Sequence, residues 1–425
     1  TISAGKKVTV SKDTSTPAGQ GGYGFADLAE NLGYKTYTFS EKDGTFFGDL
    51  NAKKGGTLHY IHSLFPRTMR IIGQNSSQMI NVRIIQALCY ESLLGQHPAT
   101  LEFVPSLATH WMISEDKLTF KFRINPDARW SDGMPITAAD VVATWDLRMD
   151  ETILEPSEQL SFGKFERPVA EGKYILSVNA KSINWRNFLY FSTMAILPNH
   201  ILKDLDGTAY LEEYAFSMMT GSGPYIIPEN KIINQESFIL ERREDYWAAD
   251  DPFVRYQYNF DKIKVSVVKD NTALEYEKFK KGEQDFYRVS QARRWVEETN
   301  YESIQNGWVK KQRIFSEKPA GTSGYYFNMR EWPFDDKRVR YAFTYLYDRV
   351  KMNREMYYNE YGYMNSLYAG SVYENSDNNP FHPNPEKAVA LLKEAGYTSR
   401  NKEGWLVHEE TNRVLSFELS LPKSY

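Results

Sequence analysis

A chain of 425 residues is long enough for two or three domains. Its 51 Lys and Arg against 55 Asp and Glu give a formal net charge of −4, without the basic excess of a dedicated nucleic-acid binder. Hydrophobic residues at 41% and charged residues at 25% argue against a disordered chain, and no run approaches the ~18 uninterrupted apolar residues of a membrane-spanning helix.

The first residues, rich in Gly, Ser, Thr and Lys, end in Gly19-Gln20-Gly21-Gly22-Tyr23-Gly24 and read as a flexible tether over 1–30. The start, Thr1-Ile2-Ser3-Ala4-Gly5-Lys6-Lys7, is polar and shows no signal peptide, which fits a cytoplasmic protein or a processed chain. Folded sequence is expected from about Tyr34, with a strand at Gly55 to Ile61 and a helix from Ile80 to Leu94. The lone Cys89 lies in that apolar run as a small hydrophobe, and no intramolecular disulfide can form.

Lys117 to Ile124 alternates cleanly as a strand, with Leu118, Phe120, Phe122 and Ile124 on one face. Thr137, with Asp140 three residues on, predicts a capped helix to about Arg148. Strands follow at Lys173 to Val178 and after Gly221-Ser222-Gly223-Pro224-Tyr225, and another at Ile263 to Val268. Further on, a helix from Thr272 is stopped by Gly282, and Gly324 to Met329 reads as a strand. Asp335 is expected to cap a helix carrying Val339, Phe343, Leu346 and Val350, and Asn384-Pro385 to open the last helix, which closes at Gly396. Strands and helices are mixed without an internal repeat, so the class is α/β or α+β.

Enzyme signatures are missing. There is no nucleophile elbow, P-loop, H-E-x-x-H or paired C-x-x-C. His59 and His62, three apart on a strand, point to opposite faces, which is poor metal geometry; they read as structural or surface residues, and no cofactor is implied. Aromatic residues reach 15%, with 29 Tyr against 24 Phe, a composition suited to wide, partly wet clefts that hold peptides or sugars. For any single ring, core filling is the competing reading. A large, multi-lobed protein without catalytic motifs suits reversible binding between lobes.

Several motifs then converge. Pro105-Ser106-Leu107-Ala108-Thr109-His110-Trp111, the strand at 117–124, and Trp130-Ser131-Asp132-Gly133-Met134-Pro135-Ile136-Thr137-Ala138-Ala139-Asp140-Val141 resemble the signature of the family 5 extracellular solute-binding proteins, the peptide-binding components of bacterial ABC importers. Gly221 to Tyr225, Asp245-Tyr246-Trp247, Tyr326 to Arg330, Pro333 to Arg340 and Ala388 to Tyr397 continue the resemblance to the end of the chain. Arg242 to Phe260 and Arg293-Arg294-Trp295 are similar to the YejA-like branch.

The resemblance implies a two-lobed periplasmic-binding-protein fold in a mixed α/β class. Lobe one would comprise residues 31–95 and 201–270, with an inserted small domain at 96–200, and lobe two residues 271–425 after a hinge near 268–275. Relative to the family the chain stops early, at Leu421-Pro422-Lys423-Ser424-Tyr425, so the C-terminal part with its acidic ligand-anchoring residue is expected to be missing. The implied protein is a periplasmic or extracytoplasmic monomer, with its N-terminus available as a membrane tether, that catches a peptide and hands it to a permease; it is not an enzyme. Implied ligand contacts are Phe65 and Arg67 from lobe one, and Arg293, Arg294, Trp295, Tyr326, Asn328 and Arg330 from lobe two. Core packing competes with ligand stacking for Trp295, and a solvated face with a site for the Arg pair. Leu118, Phe120, Phe122, Trp130, Val141 and Trp145 are expected to be framework. The rival readings are a glycoside hydrolase or other carbohydrate-active enzyme, a binder of a non-peptide solute such as an oligosaccharide, and a subunit that binds a protein partner.

Overall fold

The computed structural model describes residues 12–315, 324–375 and 377–420; the first residues of the expected tether lie outside them. Two compact units divide the chain, one running to Phe286 and the other beginning at Tyr287.

Among its described residues the first unit holds two larger sheets and the two-stranded pair Leu94–Gln96/Phe103–Pro105. In one, Thr57–His62 pairs in parallel with Lys262–Val267, Thr57 opposite Lys262 and His62 opposite Val267. Lys262–Val267 runs antiparallel to Ser237–Arg242, which in turn meets Tyr225–Ile226 and Ile232–Ile233. Phe65, Met69, Ile72, Ile80, Ile85, Phe238, Leu240 and Val265 are buried against this sheet. The other sheet is antiparallel, ordered Ala108–Ile113, Thr119–Ile124, Ile175–Asn179 and Val169–Ala170. Phe120, Phe122 and Ile124 point into its core with Trp130, Val141 and Phe191, as strand alternation predicts. The helix Ala138–Met149 opens on the expected capping box, Thr137 and Asp140 each bonding the other's backbone.

Five expectations are corrected. Residues 12–30 do not hang free. Phe25 is 1% exposed, and the buried Arg123 guanidinium donates to the carbonyls of Gly21 (2.8 Å) and Gly22 (3.1 Å) and to Thr109 Oγ1 (2.9 Å). Asp13 accepts from Lys173 Nζ (2.6 Å) and the Tyr174 hydroxyl (2.9 Å). Composition predicted a tether because the segment is poor in apolar residues; its docking joins the few it has, Phe25 and Ala29 against Ile175, to bonds through backbone carbonyls that composition does not register.

The helix expected to reach Leu94 ends at Cys89, after a π-turn over Asn81–Gln86. The Cys89 carbonyl accepts from Gly223 N–H (3.0 Å), and the Glu91 N–H donates to Ser222 Oγ (2.8 Å), so a tertiary partner takes the bonds a continuing helix would need. Gly221 and Gly223 permit this approach: a Cβ on Gly221 would stand 2.3 Å from the Cys89 carbonyl oxygen, and one on Gly223 2.7 Å from that of Leu88.

In the second unit, Lys337–Leu346 is capped by Asp336, whose side chain accepts from Arg338 N–H, and not by Asp335; Val350 belongs to a separate helix, Arg349–Met356. Gly324 to Met329 forms no strand among the described residues, and Phe327 instead packs on Phe334 with ring centroids 4.6 Å apart. An alternating segment forms a strand only where a ladder partner pairs with it, and none does so here among the described residues. Asn384 caps Pro385–Glu394 as expected, and Ala388 and Leu392 pack with Val339, Ala342 and Tyr397 of the hairpin Tyr397–Arg400/Leu406–His408.

Candidate functional site

The implied contacts separate by burial. Phe65 is 6% exposed and sets its ring edge-on to Phe238, with centroids 6.2 Å apart, so within its unit it packs in the core. Arg67 is exposed, and its N–H donates to Gln78 Oε1 (2.7 Å).

The helix Ala292–Glu297 brings three of the others side by side. Arg293 is exposed and pairs with Glu297 (3.0 Å), one turn on. Arg294 is buried, its Nε against Glu298 (3.1 Å) and its guanidinium donating to the Tyr287 hydroxyl (2.5 Å). Trp295 is half-buried beneath two cations, Lys311 Nζ at 4.0 Å and the Arg313 guanidinium at 5.4 Å from its ring centroid. Lys311 also donates to the Trp295 carbonyl (2.7 Å), Arg313 bonds Glu360 (2.6 Å), and Glu297 accepts from the Tyr358 hydroxyl (2.5 Å). That hydrogen bond holds the Glu297 carboxyl below its usual range. Arg293, Arg294 and Trp295 are thus already engaged within their own unit, tying this helix to the segments around 311 and 358. Tyr326, Asn328 and Arg330 lie on the exposed stretch after Gly324, where Arg330 N–H donates to Asn328 Oδ1 (3.2 Å).

A cavity of about 420 Å³ opens in the first unit, lined by His59, Ile61, Glu236, Lys264, Lys278 and Glu283 among others. None of the implied contacts lines it. Lys278 is bonded to Glu283 (2.5 Å), and His59 to Asp285 (3.1 Å). His59 faces Lys264 across the parallel pair. The alternation His59-Tyr60-Ile61 could have flagged it in the sequence, but the partner carboxylate comes from 226 positions downstream.

Three of the motifs that carry the family resemblance, those at 130–141, 221–225 and 245–247, meet at one place in the first unit. Arg243, next to the Asp245-Tyr246-Trp247 run, is buried and donates to the carbonyls of Ser222 (3.0 Å), Gly223 (3.1 Å) and Trp130 (3.3 Å), and to Asp245 Oδ1 (3.1 Å). Glu91 accepts from the Tyr246 hydroxyl (2.6 Å) and Trp247 Nε1 (2.9 Å), while burial pushes its pKa up to about 7. Asp140 accepts from Trp130 Nε1 (3.3 Å) and the Asn199 N–H (2.8 Å). These residues hold loops of the first unit to one another; they are framework, like Phe120, Phe122, Trp130 and Val141, which are nearly or wholly buried. Neither Arg243 nor Glu91 was singled out as a junction in the sequence, although a lone acid between Tyr90 and Leu93-Leu94 in an apolar run was a usable signal.

Among the described residues no helix is long and apolar enough to cross a membrane. Two relatives are similar over most of this chain. The peptidoglycan-binding protein YepA of Agrobacterium fabrum is 28% identical over 325 residues, 73% of this chain and 50% of YepA. YejA of Escherichia coli is 26% identical over 356 residues, 76% of this chain and 57% of YejA, in keeping with a YejA-like branch. Solved structures share the fold: NikA of Brucella suis, in complex with Fe(III)-EDTA, at a TM-score of 0.67 and 20% identity, covering 85% of this chain and 68% of NikA. The oligopeptide-binding protein AppA of Bacillus subtilis, in complex with a nonapeptide, aligns at a TM-score of 0.63 and 21% identity, covering 86% of this chain and 69% of AppA. The fold is therefore the mixed α/β periplasmic-binding-protein type. Residues 102–422 match the family described as bacterial extracellular solute-binding proteins, family 5. The chain belongs to that family, the solute-binding components of ABC importers.

Proposed function

We infer that this protein captures peptides outside the cytoplasm and delivers them, chemically unaltered, to the permease of an ABC importer. The observation that carries the reading is the family match over residues 102–422, supported by a fold shared with a structure that holds a nonapeptide. Peptides suit such a protein because recognition rests on backbone hydrogen bonds, which ignore side-chain identity, and water fills the leftover room around varied side chains. Arg67 and Arg330 are exposed cations able to meet a ligand carboxylate, and Asn328 and Tyr326 are exposed groups able to bond a peptide backbone. On this reading residues 31–95 and 201–270 form the main part of lobe one, 96–200 its insert and 271–425 part of lobe two, and the protein acts as a monomer.

Native mass spectrometry of the purified chain, followed by calorimetric titration with the released ligand, tests the proposal. A retained peptide that binds saturably is the expected result. A retained metal chelate or oligosaccharide would overturn peptide capture, and turnover of a glycan would favour a hydrolase.

A further inference from the structure

The stretch from Gly172 to Lys203 contains no Asp or Glu, in a chain where 55 of 425 residues are acidic. Within it, Lys181 to Arg186 is exposed at every position, with Ile183 at 70% and Trp185 at 77%. The short helix Trp185–Ser192 buries Asn187, Phe188, Phe191 and Ser192, which leaves Arg186 and Tyr190, one turn apart, on its outer face.

Contacts knit these residues into one surface. The Arg186 guanidinium sits 4.9 Å from the Trp185 ring centroid, and Lys164 Nζ lies 5.6 Å from that of Tyr190. The Lys181 N–H donates to the Lys164 carbonyl (2.8 Å), which places Lys181 beside Lys164. The nearest acids in sequence are Glu166 and Glu171 before the stretch and Asp204 after it, and Glu171 is held by Lys121 at 2.8 Å. The result is two exposed apolar side chains, Ile183 and Trp185, rimmed by three cations, with a tyrosine hydroxyl alongside.

We propose that this patch docks the protein on the surface of a bilayer containing anionic phospholipid. Trp and Tyr favour the boundary between headgroups and acyl chains because one end of each is apolar and the other polar. Lysine and arginine stems lie along apolar surface while their charged heads reach the phosphates. Charge selects the occupant: the rim is cationic, and an uncharged or cationic partner would leave Lys164, Lys181 and Arg186 without counter-charge. A surface of this size gives weak, reversible attachment, which keeps a diffusing carrier close to the membrane without fixing it there.

Co-sedimentation of the purified chain with vesicles of phosphatidylcholine, or of phosphatidylcholine and phosphatidylglycerol in equal parts, tests the proposal. Binding is expected only to the anionic vesicles, and molar salt should abolish it. Each basic residue near an anionic surface is worth roughly fivefold in partitioning, so K164E/K181E/R186E should lower binding by at least roughly 100-fold. Ile183→Ser with Trp185→Ser should weaken binding at low salt while leaving the thermal melt unchanged, since both side chains are largely exposed. Equal binding of the variants, or none by the parent chain to anionic vesicles, overturns the proposal. So does retention only on membranes that contain integral protein, which would assign the patch to a protein partner.

Discussion

The Tyr246 hydroxyl donates to the Glu91 carboxylate at 2.6 Å, across 155 positions of sequence, and Trp247 holds the second oxygen of the same carboxylate. Burial outweighs those bonds and the nearby Arg243 charge, so the folded state keeps Glu91 protonated up to about pH 7, against an ordinary value of 4.5. The folded chain therefore binds this proton more tightly than the unfolded chain. Stability from this group is fully present below 4.5 and is lost as pH rises through about 7, on the order of 3 kcal/mol in all. Urea unfolding across that window should show the decline, and Glu91→Gln should flatten it. An undiminished slope in the variant would rule Glu91 out as its source.

Arg123 anchors the N-terminal segment through the carbonyls of Gly21 and Gly22. Arg123→Ala should cost roughly 2–3 kcal/mol, since bonds to a buried charged group are lost and two carbonyls are stranded. Limited proteolysis should then cut within residues 12–30 before the body of the unit is attacked. Arg167→Ala, which removes an exposed pair with Asp146, should stay within ~1 kcal/mol of the parent and leave that cleavage rate alone.

Phe120 is 2% exposed and edge-on to Phe188 at 5.3 Å. Phe120→Ala should destabilise by roughly 3–5 kcal/mol, through lost burial and the cavity left behind. Its signature in thermal unfolding is a lower midpoint, with peptide affinity unchanged in the fraction that remains folded.

Variants of Arg294 and Asn328 test which of the proposed contacts are scaffold and which are site. Arg294→Ala breaks contacts with Glu298 and Tyr287 and should lower stability while calorimetric peptide affinity holds. Asn328→Ala and Arg330→Ala, both at exposed positions, should weaken affinity roughly tenfold without moving the melt. Unchanged affinity in both would remove that stretch from the ligand site.

Local patterns were legible where a residue's role is set within a few positions. The alternation of Phe120 and Phe122, the Thr137–Asp140 box and the Asn384-Pro385 start could all be read, because capping and pleat are short-range effects. What escaped were roles set by distant partners. Cys89 ends a helix because Gly223 takes its carbonyl, and Arg123 is buried because residues 21–25 fold over it. Among the implied contacts, Phe65 and Arg294 had side-chain types suited to a site. The burial of Phe65 depended on Phe238, far along the chain, whereas Arg294 is held by Glu298 and Tyr287, only four and seven positions away.

The parallel pairing of Thr57–His62 with Lys262–Val267 joins segments about two hundred residues apart. At roughly 5–20 residues per second, the ribosome needs roughly 10–40 s to supply the second strand after the first. The antiparallel sheet over 108–179 is complete in the nascent chain well before then. Because Lys262–Val267 lies between Thr57–His62 and Ser237–Arg242, both of those strands lack this partner until it is made, an interval in which a holdase would find the sheet open.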